Sequence, residues 1–307
     1  MADCVVTRAA ALVDDYLLVW VLISVAVGLL VPSIVVLTPL STPILAIMIG
    51  AVSLTLSPDQ FRQLRGRALL VILVVQTGMP LLAFAIARAL GLSPALTAGF
   101  VVLGAVTPEL VTPTMTELSG GDTALSTVVL VVVGLGTLVF VPGVVTLFLG
   151  ESVTVDSVLI VEQLLLAVVV PMTLAVGARY RWPDRIGQYD DVYPSVSGLM
   201  VILIIGIVAA ANASLVRDGG SVLVLVAAGA VALNCSGYVT GWLVSWNFTR
   251  DERIAATLSI GMRDFAVAAA LLVGAGFPTV ATLPAVIFGI VEMTTSAGLA
   301  KWFSRPK

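Results

Sequence analysis

The chain is 307 residues long, 59% hydrophobic and only 11% charged, and its mean hydropathy of +1.13 lies far outside the range of a soluble domain. Its formal net charge is −3 and its fifteen basic residues form no contiguous patch, which argues against a nucleic-acid partner. With no histidine and two cysteines, Cys4 and Cys235, the chain lacks the parts for a serine–histidine triad, a histidine proton relay, a zinc site or a disulfide framework. What remains is an all-α membrane protein whose solvent is the lipid bilayer.

The N-terminal stretch MADCVVTRAAALVDDYLLVW has neither a basic start nor a small-residue cleavage site, so the first span is expected to stay in the mature protein. A bilayer core takes about 20 mostly apolar residues per helix. Runs of that kind predict ten spans, near 12–32, 36–56, 68–90, 94–119, 122–149, 155–178, 192–213, 219–246, 252–275 and 278–302. Their connections are short apart from SPDQFRQLRGR (57–67) and RYRWPDRIGQYDD (179–191).

With the N-terminus in the cytoplasm, the inside segments hold Arg8, Arg62, Arg65, Arg67, Arg179, Arg181, Arg185, Arg250, Arg253, Lys301, Arg305 and Lys307, twelve basic residues against two outside, Arg88 and Arg217. That bias predicts a multi-pass protein of the cell membrane with both termini cytoplasmic. Trp182, Trp246 and Trp302 lie beside the basic edges, where indoles favour the interface. Arg263 is the one basic residue left at membrane depth.

The two halves, 12–149 and 155–302, read as related. GLLVPSIVVL in span 1 is similar to AVVVPMTLAV in span 6, and LTAGFVVLGAVTPE in span 4 to IAATLSIGMRDF in span 9. Each half has five spans, an odd number, so the second half inserts upside down relative to the first, an arrangement common in secondary transporters.

Span 4 carries Pro108 and Pro113, each of which removes a backbone donor, amid Thr107, Glu109, Thr112, Thr114 and Thr116. Freed backbone groups survive in a membrane only where protein or a wet cavity satisfies them, so an unwound, polar ligand site is expected here. Span 9 carries Arg263 beside Asp264. A charge at the centre of a span costs roughly 2.5–3.5 kcal/mol on insertion scales, and neighbours on a regular helix point about 100° apart and cannot neutralise each other. Either the helix breaks at IGMRD or each charge has a partner on another span, with Glu109, Asp122 and Glu292 as available carboxylates. Gln76 in span 3 and Glu292 in span 10 are expected to face the bundle, and Glu162 the interface. Isolated Ser and Thr residues such as Ser126 more commonly serve as contacts between helices.

These stretches together resemble the bile acid:sodium symporter superfamily over nearly the whole chain: LTLSPDQF after span 2, QTGMPLLAFAIARALGLSPALTAGFVVLGAVTP through spans 3 and 4, GGDTALSTVV opening span 5, and LSIGMRDFAVAAALL with LPAVIFGIVE through spans 9 and 10. The resemblance implies ten transmembrane helices in two inverted five-helix repeats. Helices 1, 2, 6 and 7 would form a panel domain, and helices 3–5 and 8–10 a core domain in which broken helices 4 and 9 cross. It implies alternating access for a small organic anion, with sodium as the coupling ion and no other cofactor.

Several implied sodium ligands depart from the family pattern. Gln76 and Ser126 match it. Thr112-Pro113 stand where the family has Ser-Asn, Ser259 where it has a glutamate, Arg263-Asp264 where it has Gln-Asn, and Leu130 where it has a threonine. A hard cation needs oxygen ligands and gains most from a carboxylate, so a fixed guanidinium in place of one reverses the local electrostatics. The expectation is that Arg263 sits where a sodium ion would bind, paired to Glu109, Asp264 or Glu292, and that transport is sodium-independent or proton-coupled. The candidate binding residues are therefore Gln76, Glu109, Thr112, Pro113, Thr114, Ser126, Ser259, Arg263, Asp264 and Glu292. An arsenite-type exporter lacks its expected cysteine here, a non-transporting receptor of the same fold is a second reading, and an intramembrane enzyme a third, for which no paired catalytic aspartates and no HExxH motif exist, the DDYLL and DDVYP pairs falling at cytoplasmic edges. Substrate, transport direction and oligomeric state leave no mark in the sequence.

Overall fold

A computed structural model describes residues 16–56, 66–150, 157–218 and 220–304. Arg8, Arg62, Arg65, Arg305, Lys307 and Cys4, and nearly all of the 57–67 connection, lie outside the described residues. Those described are helical throughout, and eight helices are long and apolar enough to cross a bilayer, from Pro32–Ser53 to Thr279–Phe303. The two remaining expected spans, 12–32 and 94–119, hold shorter apolar helices, α1 (Leu17–Leu30) and α4 (Pro94–Ala105).

After α1, a 3-10 segment (Pro32–Leu40) leads into α2 (Ser41–Ser53), followed by α3 (Arg67–Ala89). Beyond α4 come the seven-residue α5 (Thr112–Leu118) and the long α6 (Thr123–Leu149). The second half opens with α7 (Ser157–Leu164), a π-turn (Leu165–Val169) and α8 (Val170–Arg181). The π-turn falls just before Pro171, whose missing N–H cannot continue the α-helical ladder. The chain continues with α9 (Pro183–Gly187), α10 (Tyr193–Ala211), α11 (Ala213–Asp218) and α12 (Gly220–Val244). It closes with α13 (Arg250–Gly261), α14 (Phe265–Gly274), a 3-10 turn (Thr279–Thr282) and α15 (Leu283–Phe303). Local chemistry sets several starts: Pro94 follows the Ser93 cap of α4, Asp122 Oδ1 caps α6 by accepting from Leu125 N at 2.9 Å, and Thr249 with Glu252 forms a capping box on α13.

The helices associate in two groups. In the first, α1, α2, the α7–α8 pair and α10 pack on one another; in the second, α3 to α6 and α12 to α15 do. Lipid is as apolar as the side chains it replaces, so close packing rather than water expulsion holds these contacts, and small residues are needed at the crossings. Gly28 of α1 meets Gly206 of α10 backbone to backbone, and Ser24 Oγ donates to Ile202 O at 2.5 Å across that seam. On α12, a methyl group at Gly237 would lie 2.9 Å from Gly261 Cα, and one at Gly241 2.7 Å from Thr257 Cα. Large apolar side chains such as Val139, Leu147 and Val224 are exposed around the bundle, as a lipid-facing belt requires.

The bundle has a basic end. There Arg253 lies 3.5 Å over the Trp242 ring, Arg250 Nη2 donates to Phe303 O at 2.5 Å, and Trp246 and Trp302 are exposed. The long 179–191 connection is tied by Arg179, whose Nη1 and Nη2 donate to Asp190 at 2.6 and 2.8 Å. At the other end the two groups meet: α14 packs on α2, α7 and α10, and Asn212 Nδ2 donates to Thr282 Oγ1 at 2.8 Å. Thr42 donates to Gln163 at 2.7 Å beside Gly274, where an added methyl group would lie 2.6 Å from Gln163 Oε1. The basic-end pieces stay within their own group: α13 packs on α3, α5, α6 and α12, and α5 on α6, α13 and α15.

Candidate functional site

Both polar breaks expected from the sequence are present. Between α4 and α5 the chain is unwound over 106–111, and between α13 and α14 over 262–264. The stretch Arg250–Gly274 is the most enclosed of the eight apolar helices, so neither charge at its break faces lipid. The two breaks cross and bond each other: Asp264 N donates to Thr107 O at 3.0 Å, and Arg263 Nη1 to Val106 O at 3.2 Å. Each unwound segment thus satisfies part of the other's backbone, as non-helical chain at membrane depth must.

A hydroxyl and amide chain surrounds the crossing. Thr112 Oγ1 donates to Glu109 O at 2.6 Å, and Thr116 Oγ1 to Thr112 O at 2.8 Å. Thr116 Oγ1 also reaches Ser126 Oγ at 3.3 Å, and Ser126 and Ser259 share a hydroxyl contact of 3.3 Å. Gln76 Nε2 donates to Ser259 O at 2.8 Å from α3. Gln76, Thr112, Ser126 and Ser259, all in the sequence-based set, therefore meet in one buried cluster. Pro113 opens α5 half-buried, whereas Thr114, one residue on, is exposed; the short helix turns Thr112 and Thr116 inward and Thr114 out. Asp122 is spent as the cap of α6 at the basic end, and Glu162 is exposed.

The charges are arranged otherwise than expected. Arg263 is 1% exposed, the largest fully buried side chain of those described. Its Nε and Nη2 have no hydrogen-bond partner, and no carboxylate oxygen approaches it within 4.0 Å; the ion pair found among the described residues is Arg179–Asp190. The expected pairing to Glu109, Asp264 or Glu292 is absent: Asp264 is taken up at the start of α14, and neither Glu109 nor Glu292 brings an oxygen within 4.0 Å of the guanidinium. Asp264 turns to cap α14, its Oδ1 accepting from Val267 N at 2.8 Å. Glu109 comes from the crossing segment to the same helix start, against the main-chain N–H of Phe265. Glu292, 1% exposed on α15, has no hydrogen-bond partner at either oxygen. The three carboxyl groups share one electrostatic neighbourhood.

Two further residues belong here. Asn234 of α12 donates to Gly261 O at 3.2 Å and accepts from Thr295 Oγ1 at 2.7 Å. Tyr238, one turn on, lays its ring against Gly261 and has its hydroxyl beside Thr295 and Glu292. Their spacing of four in an apolar span was the signal, since it puts both on one face.

Sodium fits this constellation poorly. Of the positions aligned with the family's sodium ligands, Gln76, Ser126 and Ser259 are neutral and joined by hydrogen bonds, Ser259 brings a hydroxyl in place of a carboxylate, and Arg263 brings a fixed cation. What the crossing does supply is a buried guanidinium with a free donor edge.

Fold and site define a multi-pass membrane transport protein with two broken helices crossing inside a helical bundle. The Sodium Bile acid symporter family model matches residues 42–218, more than half of the chain, and the protein belongs to that family. The sodium-dependent transporter YocS of Bacillus subtilis (strain 168), itself uncharacterised, is 26% identical over 94% of this chain and 90% of its own length. Two probable chloroplastic sodium/metabolite cotransporters of Oryza sativa subsp. japonica are 27% and 26% identical over 71% and 81% of the chain, which spans 53% and 60% of their lengths.

Proposed function

We propose that the protein is a secondary transporter that carries a small organic anion by alternating access, with Arg263 as the substrate's charge partner. One observation carries the reading: the Nε and Nη2 donors of Arg263, buried and unpartnered, form the parallel fork that a carboxylate or sulfonate accepts bidentately. A guanidinium taken out of water with two of its three nitrogens lacking an acceptor is costly, which supports a site built for an anion that arrives and leaves.

The finer architecture belongs to the same proposal. Ten helices would form two inverted repeats, 12–149 and 155–302, the segments α1, α2, α7–α8 and α10 making the panel and the rest the core. The two packing groups support this division, as do the matched breaks, one in each half. The basic end would face the cytoplasm of a cell-membrane protein, with both termini there. Contacts between panel and core run through α14 on α2, α7 and α10, through α6 on α7, through α15 on α1 and α10, and through the Asn212–Thr282 bond.

The relatives' names carry sodium. In this chain the resident cation Arg263 takes the place of that ion, so transport would not require it. Uptake of a panel of carboxylates and sulfonates into proteoliposomes, with sodium and pH gradients varied separately, tests both parts. Uptake unchanged when choline replaces sodium is expected; a steep sodium requirement that survives Arg263→Gln overturns the sodium-independence.

A further inference from the structure

Charge balance at the crossing demands more than Arg263 provides. Three carboxyl groups, Glu109, Asp264 and Glu292, are buried near the crossing and the Arg263 guanidinium approaches none of them within 4.0 Å, so full ionisation would leave three buried carboxylates without an ion-pair partner. Uncompensated charges are not tolerated there; such groups either acquire a counter-ion or become neutral. Two of the three have main-chain support, Asp264 as the cap of α14 and Glu109 against the N–H of Phe265. Glu292 has none: neither oxygen has a partner, and no cationic nitrogen lies within 4.0 Å.

The groups that face Glu292 are few. α12 contributes the Tyr238 phenol, the 262–264 break Asp264, and the 106–111 break Glu109, while Arg263 of the same break as Asp264 comes within 4.0 Å of neither Glu292 oxygen; α1 and α4 and the Thr279–Thr282 turn carry no ionisable residue. The single ionisable group of α5, Glu117, is exposed, and that of α10, Tyr193, sits at its first residue. A metal ion held by several charged side chains would need a group of three such ligands, and none forms among the described residues. A proton needs one oxygen, and Glu292 has two free.

The geometry points to Glu292 as a proton-binding site, neutral in this state, and to its proton as the one exchanged during transport. The second half of that statement rests on the transporter reading above. The step is a simple acid–base one: a proton from the aqueous side adds to one Glu292 oxygen, neutralising it as the anion pairs with Arg263, and leaves as that carboxyl meets water on the other side. One anion and one proton then cross together without net charge.

The test has two arms, both on the full chain in liposomes. In the first, infrared difference spectra in water and deuterium oxide compare wild type with Glu292→Gln at neutral pH. A protonated-carboxyl C=O band present in wild type and absent from the variant is expected; identical bands in both overturn the proposal. The amide nearly reproduces the shape of the neutral acid, and Glu292→Ala serves as a second variant should Gln fail to fold. In the second arm the probe is labelled benzenesulfonate, which stays ionised and carries no proton itself. Wild type should accumulate it about tenfold per unit of inside-alkaline pH gradient, the ratio fixed by one coupled proton. Glu292→Gln should reach a ratio of about one, with entry above that of empty liposomes. Accumulation by the variant equal to wild type overturns the coupling role. Should wild type move none of the anions in the wider panel, the transporter reading and the coupling role fall together, while the infrared arm still decides whether Glu292 holds the proton.

Discussion

Replacing Arg263 by glutamine removes the charge and the donor fork while leaving a side chain able to donate to Val106 O, where Nη1 now donates at 3.2 Å. Because the residue is 1% exposed, solvent screening does not dilute the loss. A hydrogen bond to a charged group contributes about 1.5–3 kcal/mol, and removing a two-pronged one should cost about 3 kcal/mol, or roughly 150-fold in apparent affinity for the anion. Lysine keeps the charge without the planar fork and should lose about tenfold. Initial uptake rates across a substrate series, with thermal unfolding of the purified variant as a folding control, measure both. The expected order of KM is wild type, then Lys, then Gln. A Gln variant that folds normally and retains the wild-type KM would refute the assignment of Arg263 as substrate partner.

Four other outcomes follow from the packing and the site. Thr114→Ala, on the exposed side of α5, should leave KM and maximal rate within about twofold of wild type, whereas Thr112→Val, which breaks a 2.6 Å bond to Glu109 O beside the crossing, should lower uptake at least tenfold. Gly241→Leu puts a side chain where Thr257 Cα already lies 2.7 Å from a Cβ position, with only backbone to yield, and should lower the Tm of the detergent-solubilised protein by several degrees. Asn212→Ala loses the bond to Thr282 that ties the two helix groups at the end opposite the basic one; a cysteine in place of the buried Ala275, at the end of α14, should then react faster with a membrane-impermeant thiol reagent from that side. Arg179→Ala removes an ion pair whose Asp190 side chain is 41% exposed, so the effect on stability should be about 1 kcal/mol or less, read from the same unfolding curves.

How far the sequence reached is clearest at the two breaks. Pro108 and Pro113 declared the first one, because proline's missing donor interrupts a helix wherever it sits. The second was signalled by Arg263 and Asp264, since adjacent charges at membrane depth require either a break or separate partners. The buried positions of Gln76 and Glu292 were legible for the same reason, since polar groups in apolar spans must turn inward, whereas Ser259 was singled out through the family resemblance alone. Which carboxylate Arg263 would meet was not legible, and it meets none. Asp264 caps α14 instead, and where that helix restarts after the break is something no periodicity encodes. Thr114 was misplaced on similar grounds, because the register of a seven-residue helix after an unwound segment depends on where the helix restarts. Asn234 and Tyr238 were overlooked among the small and apolar residues of LNCSGYVTG, where their shared face matters only once α12 is known to pack against Gly261.

The chemistry of the resident cation limits how such a transporter can be driven. A sodium ion at a crossing-helix site stores its gradient by entering from one side and leaving to the other, so the charge that attracts the anion is itself the coupled species. A guanidinium fixed by its main chain and bonded to Val106 O cannot leave. It can attract the anion in both orientations equally, and a group with equal affinity in two states shifts neither. Arg263 alone would therefore give a facilitated carrier, binding without accumulation. Accumulation requires a second group whose charge differs between the two faces, and that group must be buried with the site and exchangeable with water. Of the ionisable residues at the crossing, Asp264 is held by its helix cap and Glu109 lies against the N–H of Phe265, while Glu292 has neither oxygen committed. On this proposal, a fixed cation at Arg263 and an exchangeable carboxyl at Glu292 are two halves of one electrostatic requirement. If so, Glu292→Gln should convert the protein from an accumulating carrier to an equilibrating one, while Arg263→Gln should weaken anion binding without changing the response to pH.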